Sequence, residues 1–354
     1  MPDTSAPQLT FVDAVRDGID VAMQLDPHMV CYGLGADDPK RIFGSMSGLA
    51  EKYGNTRVFD APTSEAAMTG IAIGAALRGV RSVTVHQRLD FFLLAMDQLI
   101  NNAAKWHFMF GGQRSVPIVI RLILGRGWGQ GPTHSQSLHS WFAHVPGLKV
   151  VMPTNAADAK GLLMSAIFDP NPVVFMEHRW LHQAVSNVPV GDYRVPLGRA
   201  HVLRQGGDIT LTAMSFLVPE ALRAATMLEG LGIKCDVIDL CTVRPLDWET
   251  VSKSILKTGR LLALDSGWLT CSVASEIVAL ACERHFRSLR CAPRRAGMPD
   301  HPEPTSFELT KGLHPSAESI ANDVCDMLEL PQRFEIAAGS GPHDVPGAWF
   351  KGPF

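Results

Sequence analysis

The sequence has no Cys-x-x-C pair. Its seven cysteines, Cys31, Cys235, Cys241, Cys271, Cys282, Cys291 and Cys325, are odd in number and scattered. That spacing excludes a zinc ribbon or a dithiol redox centre and predicts reduced, mostly buried thiols. No basic run exists either: a formal net charge of −3 is spread over 354 residues. Nucleic acid or an anionic membrane needs a positive footprint, so the expected ligand is a small molecule. The longest greasy run, 91–100, is broken by Asp97, and the opening MPDTSAPQLTFVDAV lacks a basic segment followed by an apolar one. Both absences argue against a membrane span or a secretion signal and place the protein in the cytoplasm.

Other absences concern sites. No Gly-x-Gly-x-x-Gly follows the early strands, which argues against a nicotinamide-binding dehydrogenase on an otherwise compatible α/β pattern. The loop GRGWGQG lacks the Lys and Ser/Thr of a nucleotide-binding P-loop and reads better as a wall facing substrate. His139 and His144 each follow the previous histidine by five residues, off the i, i+4 spacing of a helical metal pair.

What is present is a soluble enzyme's composition, 46% hydrophobic and 19% charged, in a chain long enough for two domains. Residues 9–25 repeat apolar positions at helical spacing, and MVCYGLG follows as a strand. TRVFDAP closes on Pro62, after which Ser64 can cap a helix, EAAMTGIAIGAAL, whose Gly70 and Gly74 would allow close packing. SVTVHQ and VPIVIRLIL read as strands around a buried helix FFLLAMDQLINNAAKW, and the unbroken apolar character of the second suits a parallel sheet. LKVVMP, NAADAKGLLMSAIF and PVVFMEH complete an α/β domain over 1–185. A Pro- and Gly-rich linker spans 186–200. In 201–335 the strands DITLTAM, CDVIDL and RLLALD alternate with helices, again implying a parallel sheet. The end, 336–354, carries Trp349, Phe350 and Phe354 and is expected to act as a docking arm.

A glutamate in the first turn of a helix, such as Glu65, is ordinary, because it favours the helix dipole. The strings around it are more specific. FDAPTSEAAMTGIAIGAALRGVRSV, AMDQLINNAAK, GGQRSVPIVIR, THSQSLHSWFAHVPGLKVVMP, SAIFDPNPVVFMEH, VIDLCTVRPLD and LDSGW follow one another in an order that resembles the beta subunit of thiamine-diphosphate-dependent 2-oxo acid dehydrogenases, over residues 8–335. The resemblance implies two doubly wound α/β domains, an N-terminal pyrimidine-binding domain and a C-terminal transketolase-type domain.

In that family the glutamate matching Glu65 hydrogen-bonds the cofactor's aminopyrimidine and promotes loss of the thiazolium proton, so Glu65 is the expected activating and cofactor-binding residue. Leu89 and Phe91 are expected to pack against the pyrimidine. His134, in GPTHSQS, matches the family's active-site histidine beside the substrate. The Gly-Asp-Gly…Asn signature that holds magnesium and diphosphate is absent, as the resemblance implies for a beta subunit. The resemblance then implies that Mg2+ is held by an alpha-type partner, in an alpha2beta2 assembly with a second copy of this chain, and that a lipoyl-bearing acyltransferase is a candidate further partner. SAIFDPNP resembles the family's structural potassium site, which carries over to Ala166, Ile167, Asp169 and Asn171 with Ile118; an ordinary helix-to-strand turn accounts for the same residues.

The chain departs from the family at VHQRLDFF, where His86 and Arg88 stand in an ordinarily aromatic stretch, at Arg126 in GRGWG, and at EHRWLH. Arginines near the reacting centre can hold a carboxylate or phosphate, although surface arginines are common. Three readings follow: decarboxylation of a 2-oxo acid with acyl transfer; a split transketolase or carboligase acting on a sugar or acidic substrate; and a non-catalytic assembly subunit, whose best marker would be loss of Glu65.

Overall fold

Strands read from unbroken apolar runs become the centre of the architecture. A computed structural model describes residues 6–37, 41–126 and 130–335. The expected docking arm, 336–354, and the centre of GRGWG lie outside them. The chain divides into two compact units: one formed by residues up to Gly125 and Trp141–Leu197, the other by Arg126–Ser140 and the chain from Gly198 onward.

In the first unit six strands are parallel: β1 (Val30–Gly33), β2 (Val58–Asp60), β3 (Ser82–His86), β4 (Ile118–Leu124), β5 (Lys149–Val151) and β6 (Val173–His178). Their order in the sheet is β5-β6-β4-β3-β1-β2. All seven residues of β4 are buried, as a central parallel strand covered on both faces requires. From β1 the chain moves one way to β2 and then crosses to β3 on the other side, so the topological switch falls between β1 and β3. In open α/β sheets ligands bind outside the carboxyl ends of strands at such a point.

Three helices of twelve or more residues belong to this unit among the described residues. α1 (Phe11–Leu25) starts where Thr10 Oγ1 accepts from the Asp13 amide at 3.1 Å. α2 (Glu65–Leu77) follows β2, and α3 (Ala156–Ile167) is capped by Asn155, whose side chain accepts from Asp158 N at 2.9 Å. Such caps satisfy amides that a helix start otherwise leaves unpaired.

The second unit holds β7 (His201–Arg204), β8 (Ile209–Ala213), β9 (Cys235–Asp239), β10 (Leu261–Trp268) and β11 (Arg294–Met298), ordered β11-β10-β8-β9-β7. All neighbours are parallel except β7, which runs antiparallel to β9. Helices α4 (Leu217–Glu229), α5 (Trp248–Thr258), α6 (Val273–His285) and α7 (Ala317–Met327) complete it. Two doubly wound α/β units are thus present, as expected.

The fold differs from the sequence reading in several places. β7 and β11 were not expected: Val202 and Leu203 are exposed on an edge, and RRAGM carries little apolar signal. The start of the expected linker forms a strand, Val185–Asn187, paired antiparallel with Gln8–Thr10. The buried helix expected over 91–106 is a chain of short helical pieces with one wide π-type stretch, Gln98–Ala103. It buries Leu89, Phe92, Ala95, Leu99 and Ala103 but leaves Leu94 70% exposed, because only one face of it meets the core. Gly74 makes no close contact either: a Cβ there would meet nothing within 4 Å among the described residues. Four of the seven cysteines are buried and none is disulfide-bonded.

Candidate active site

The carboxyl ends of β1, β2, β3, β4 and β6 gather most of the polar side chains singled out in the first unit. Glu65 opens α2 just beyond β2, at 5% exposure. Tyr32, on β1, holds this helix start in place. Its hydroxyl donates to Met68 O at 2.7 Å, and its ring stacks on Phe59 of β2 at 5.2 Å between centroids. No hydrogen bond or ion pair engages the Glu65 carboxyl among the described residues, so a water-shielded acid at a helix N-terminus is left for a ligand.

The outer face of α2 is made of small residues. Ala67 and Gly74 are exposed, as is Ile71 at 63%, and with half-buried Gly70 they fall at helical spacing on one side. An exposed apolar stripe of this kind is characteristic of a surface that another chain covers.

Beyond β3, Leu89 and Phe91 share a one-turn helix, but their environments differ: Leu89 is fully buried, whereas Phe91 is 44% exposed. Phe91 thus keeps part of its ring at the surface, whereas Leu89 belongs to the core. His86, at the end of β3, is buried edge-on against Phe92 at 4.9 Å, and neither of its ring nitrogens has a hydrogen-bond partner among the described residues. Burial lowers its pKa to about 4, so the imidazole is neutral near pH 7. Arg88 is 8% exposed and donates from Nη1 to Gly125 O at 3.2 Å.

Arg126, expected to accompany Arg88, belongs to the second unit. It is buried, and donates to Pro304 O at 3.2 Å and Thr305 O at 3.5 Å. Burial, followed by the Arg126 charge, lowers the pKa of His314 to about 3. Arg126 therefore fastens its own segment to the second unit. His134 lies on the same segment, exposed, with Nδ1 3.0 Å from Thr133 Oγ1.

Sequence reasoning considered His139 only as a metal ligand. In the structure His139 Nε2 sits 2.9 Å from Asp265 Oδ1, both side chains fully buried. Burial raises the Asp265 pKa, but the His139 charge and the Gly267 and Ala274 amides outweigh it and leave it below its ordinary value. This pair anchors the segment that carries His134. It joins residues far apart in sequence, and no local motif announces it.

The loop proposed for potassium sits where α3 ends and β6 begins. Asn171 Oδ1 is buried without a hydrogen-bond partner among the described residues. Asp169 accepts from Asn171 N at 2.9 Å and pairs with Lys149. Arg81 donates to Ile167 O at 3.0 Å and Asp169 O at 3.4 Å. Ile118, at the start of β4, is buried. The orphaned buried oxygen of Asn171 is the atom of this loop that would gain from a cation, since an unsatisfied acceptor is costly, whereas Arg81 already engages the Ile167 and Asp169 carbonyls.

Two doubly wound units, with a buried glutamate opening the helix that follows β2 of the first, define a transketolase-type pair of domains. The family model described as "Transketolase, pyrimidine binding domain" matches residues 7–183, and "Transketolase, C-terminal domain" matches 198–320. Acetoin:2,6-dichlorophenolindophenol oxidoreductase subunit beta of Cupriavidus necator is 38% identical over 326 residues, covering 89% of this chain and 96% of that protein. The mitochondrial pyruvate dehydrogenase E1 component subunit beta of Pisum sativum is 39% identical, covering 90% and 89%. A solved structure titled "Split gene transketolase, inactive beta4 tetramer" superposes with a TM-score of 0.72 at 21% identity, over 92% of this chain and 99% of that one, a likeness of fold. The chain belongs to the family of beta subunits of thiamine-diphosphate-dependent 2-oxo acid dehydrogenases.

Proposed function

We propose that this chain is the cofactor-activating half of a cytoplasmic two-chain enzyme that decarboxylates a 2-oxo acid and passes on the acyl group. The observation that carries the proposal is Glu65: a shielded carboxyl, unengaged among the described residues, at the start of a helix whose small-residue face is open. Thiamine diphosphate, when bound, supplies a nucleophilic thiazolium carbon that adds to a substrate carbonyl. Glu65 would hydrogen-bond a nitrogen of the aminopyrimidine and hold or release a proton there. Phe91 offers the ring a face, with Leu89 in support. His134 moves a proton at the substrate or guards the acyl group in transit, while the buried His139–Asp265 pair holds its segment.

An alpha-type partner bearing the Gly-Asp-Gly…Asn signature would hold Mg2+ and diphosphate. The relatives' designation as beta subunits supports such a partner, as does the apolar surface at Ile71, Leu94, Phe108 and Trp141. A second copy of this chain would complete an alpha2beta2 assembly, and a lipoyl-bearing acyltransferase is the natural acceptor. The test is turnover of the co-expressed complex. Pyruvate or another 2-oxo acid should reduce 2,6-dichlorophenolindophenol or acylate lipoamide. Ketol transfer from xylulose 5-phosphate without any lipoyl carrier would instead establish the split transketolase.

Potassium fits the Asn171 loop, with Ile118, Ala166, Ile167 and Asp169 around it. The complex should melt at a higher temperature in KCl than in equimolar choline chloride, since a ligand bound only by the folded state stabilises by about 2.7 kcal/mol at 100 times its Kd. Asn171→Ala should abolish the difference. Identical melting of the native protein in both salts would exclude the site.

A further inference from the structure

Three adjacent strands of the first unit deliver an unusual set of side chains to one place. β3, β4 and β6 lie side by side in parallel, with His86 opposite Leu122 and Leu124 opposite His178. Beyond their ends come Arg88, Gly125 and Arg179. Gly125 is the meeting point. Arg88 donates to its carbonyl at 3.2 Å. On its other side, a Cβ at Gly125 would come within 2.4 Å of the His178 ring, at a backbone φ of +86°. A side chain there would be strained and would displace the histidine, so bare backbone is what lets these groups converge.

Two guanidinium groups carry positive charge into this cluster. Arg88 and Arg179 are both buried, and the Arg179 guanidinium lies over the Phe43 ring at 4.9 Å. No ion pair joins Arg88 to a carboxylate among the described residues, and the Asp90 charge only partly offsets the lowering of the Arg88 pKa by burial. Burial, then the neighbouring charge of Arg88, pulls the Arg179 pKa down to about 9. Two like charges held out of water repel each other and lose hydration. An oxyanion relieves both penalties, and a guanidinium fork matches carboxylate or phosphate oxygens in geometry. His86, neutral and with both ring nitrogens unpartnered among the described residues, adds a donor and an acceptor beside them.

We propose that Arg88 and Arg179, with His86, form a specificity site for an anionic group on the substrate, a phosphate or a second carboxylate remote from the carbonyl that reacts. The inference rests on the reading of this sheet edge as the active site, and it makes the substrate an acidic or phosphorylated compound rather than simple pyruvate or acetoin. Its place at the carboxyl ends of adjacent parallel strands, the first of which, β3, borders the switch point, is on the side where such a sheet receives a ligand.

The test uses the assembled complex saturated with thiamine diphosphate and Mg2+, so that the diphosphate contacts are occupied. Calorimetric titration with inorganic phosphate, and separately with malonate, at constant ionic strength set by chloride, should show saturable binding of at least one. Arg88→Gln should weaken that binding at least tenfold and Arg88→Lys less, with near-ultraviolet circular dichroism confirming that both variants are folded. Phosphate binding alone would assign a phosphorylated substrate, and malonate binding alone a dicarboxylic one. Equal binding by native protein and folded Arg88→Gln, or none to either, would overturn the anion site. Failure of the underlying reading would look different: thiamine diphosphate itself would not bind the complex, or Glu65→Gln would turn over like the native enzyme.

Discussion

Replacing Glu65 by Gln should lower turnover of the assembled enzyme by about 100-fold or more while leaving the fold intact, because proton transfer by a positioned acid contributes about 10²–10⁴ in rate. Gln keeps the size and a hydrogen bond, but it cannot hold or release the proton at the pyrimidine nitrogen. The side chain is held by no neighbour among the described residues, so its replacement should not disturb the packing of α2, whose start is fixed by the Tyr32 hydrogen bond to Met68. Thiamine diphosphate should still bind. The variant is checked by steady-state kinetics and by the rate of exchange of the thiazolium proton, both of which should fall together. Undiminished turnover would remove Glu65 from the mechanism and favour an assembly role for the chain.

The second large effect concerns stability. In the middle of the first sheet Arg121 donates to Glu177 at 2.5 Å and to Ser45 Oγ at 2.8 Å, and His182 lies 3.5 Å from the other Glu177 oxygen. Phe11 and Phe43 pack against the His182 ring. Burial by itself raises the Glu177 pKa, but the Arg121 charge, the nearby His182 ring and the hydrogen bond from Arg121 outweigh it, taking it from 4.5 to about 2. A depressed carboxyl pKa stabilises the fold above its unfolded value and loses that contribution as pH falls. Here the contribution is about 3 kcal/mol at neutral pH, an order of magnitude set by 1.36 kcal/mol per unit. It should be complete above about pH 4.5 and disappear toward pH 2. Glu177→Gln, which strands the Arg121 charge, should destabilise the native protein by about 3–5 kcal/mol at pH 7. It should also flatten the acid limb of the stability curve. Urea denaturation across pH 2–7 measures both effects. An acid limb of unchanged steepness in the variant would show that other carboxylates govern acid unfolding.

Much of this was legible in the sequence for physical reasons. Unbroken apolar runs such as IVIRLIL mark strands buried on both faces, and the continuity of α/β alternation fixed the class. The helix that begins at Glu65 was legible because Pro62 ends the preceding run, although Ser64 makes no capping hydrogen bond. What stayed hidden depends on contacts between distant residues or on exposure. The edge strand His201–Arg204 has half its side chains in solvent. Arg126 was singled out together with Arg88, but its donation to the carbonyls of Pro304 and Thr305, far away in sequence, was not legible. Arg179 looked like an incidental departure in EHRWLH until the ends of β3, β4 and β6 brought it beside Arg88. The pairing of His139 with Asp265 follows from tertiary packing alone. Gly74 suggested close packing within the chain, but its face of α2 is open, as expected where the covering surface belongs to another subunit.

The central claim, a cofactor site completed only between two chains, is tested most directly by calorimetric titration of thiamine diphosphate with Mg2+ into this chain alone and into its complex with the partner that carries Gly-Asp-Gly…Asn. The account predicts saturable binding by the complex and none by the isolated chain. Equal binding by both, or no binding by a well-formed complex, would contradict it.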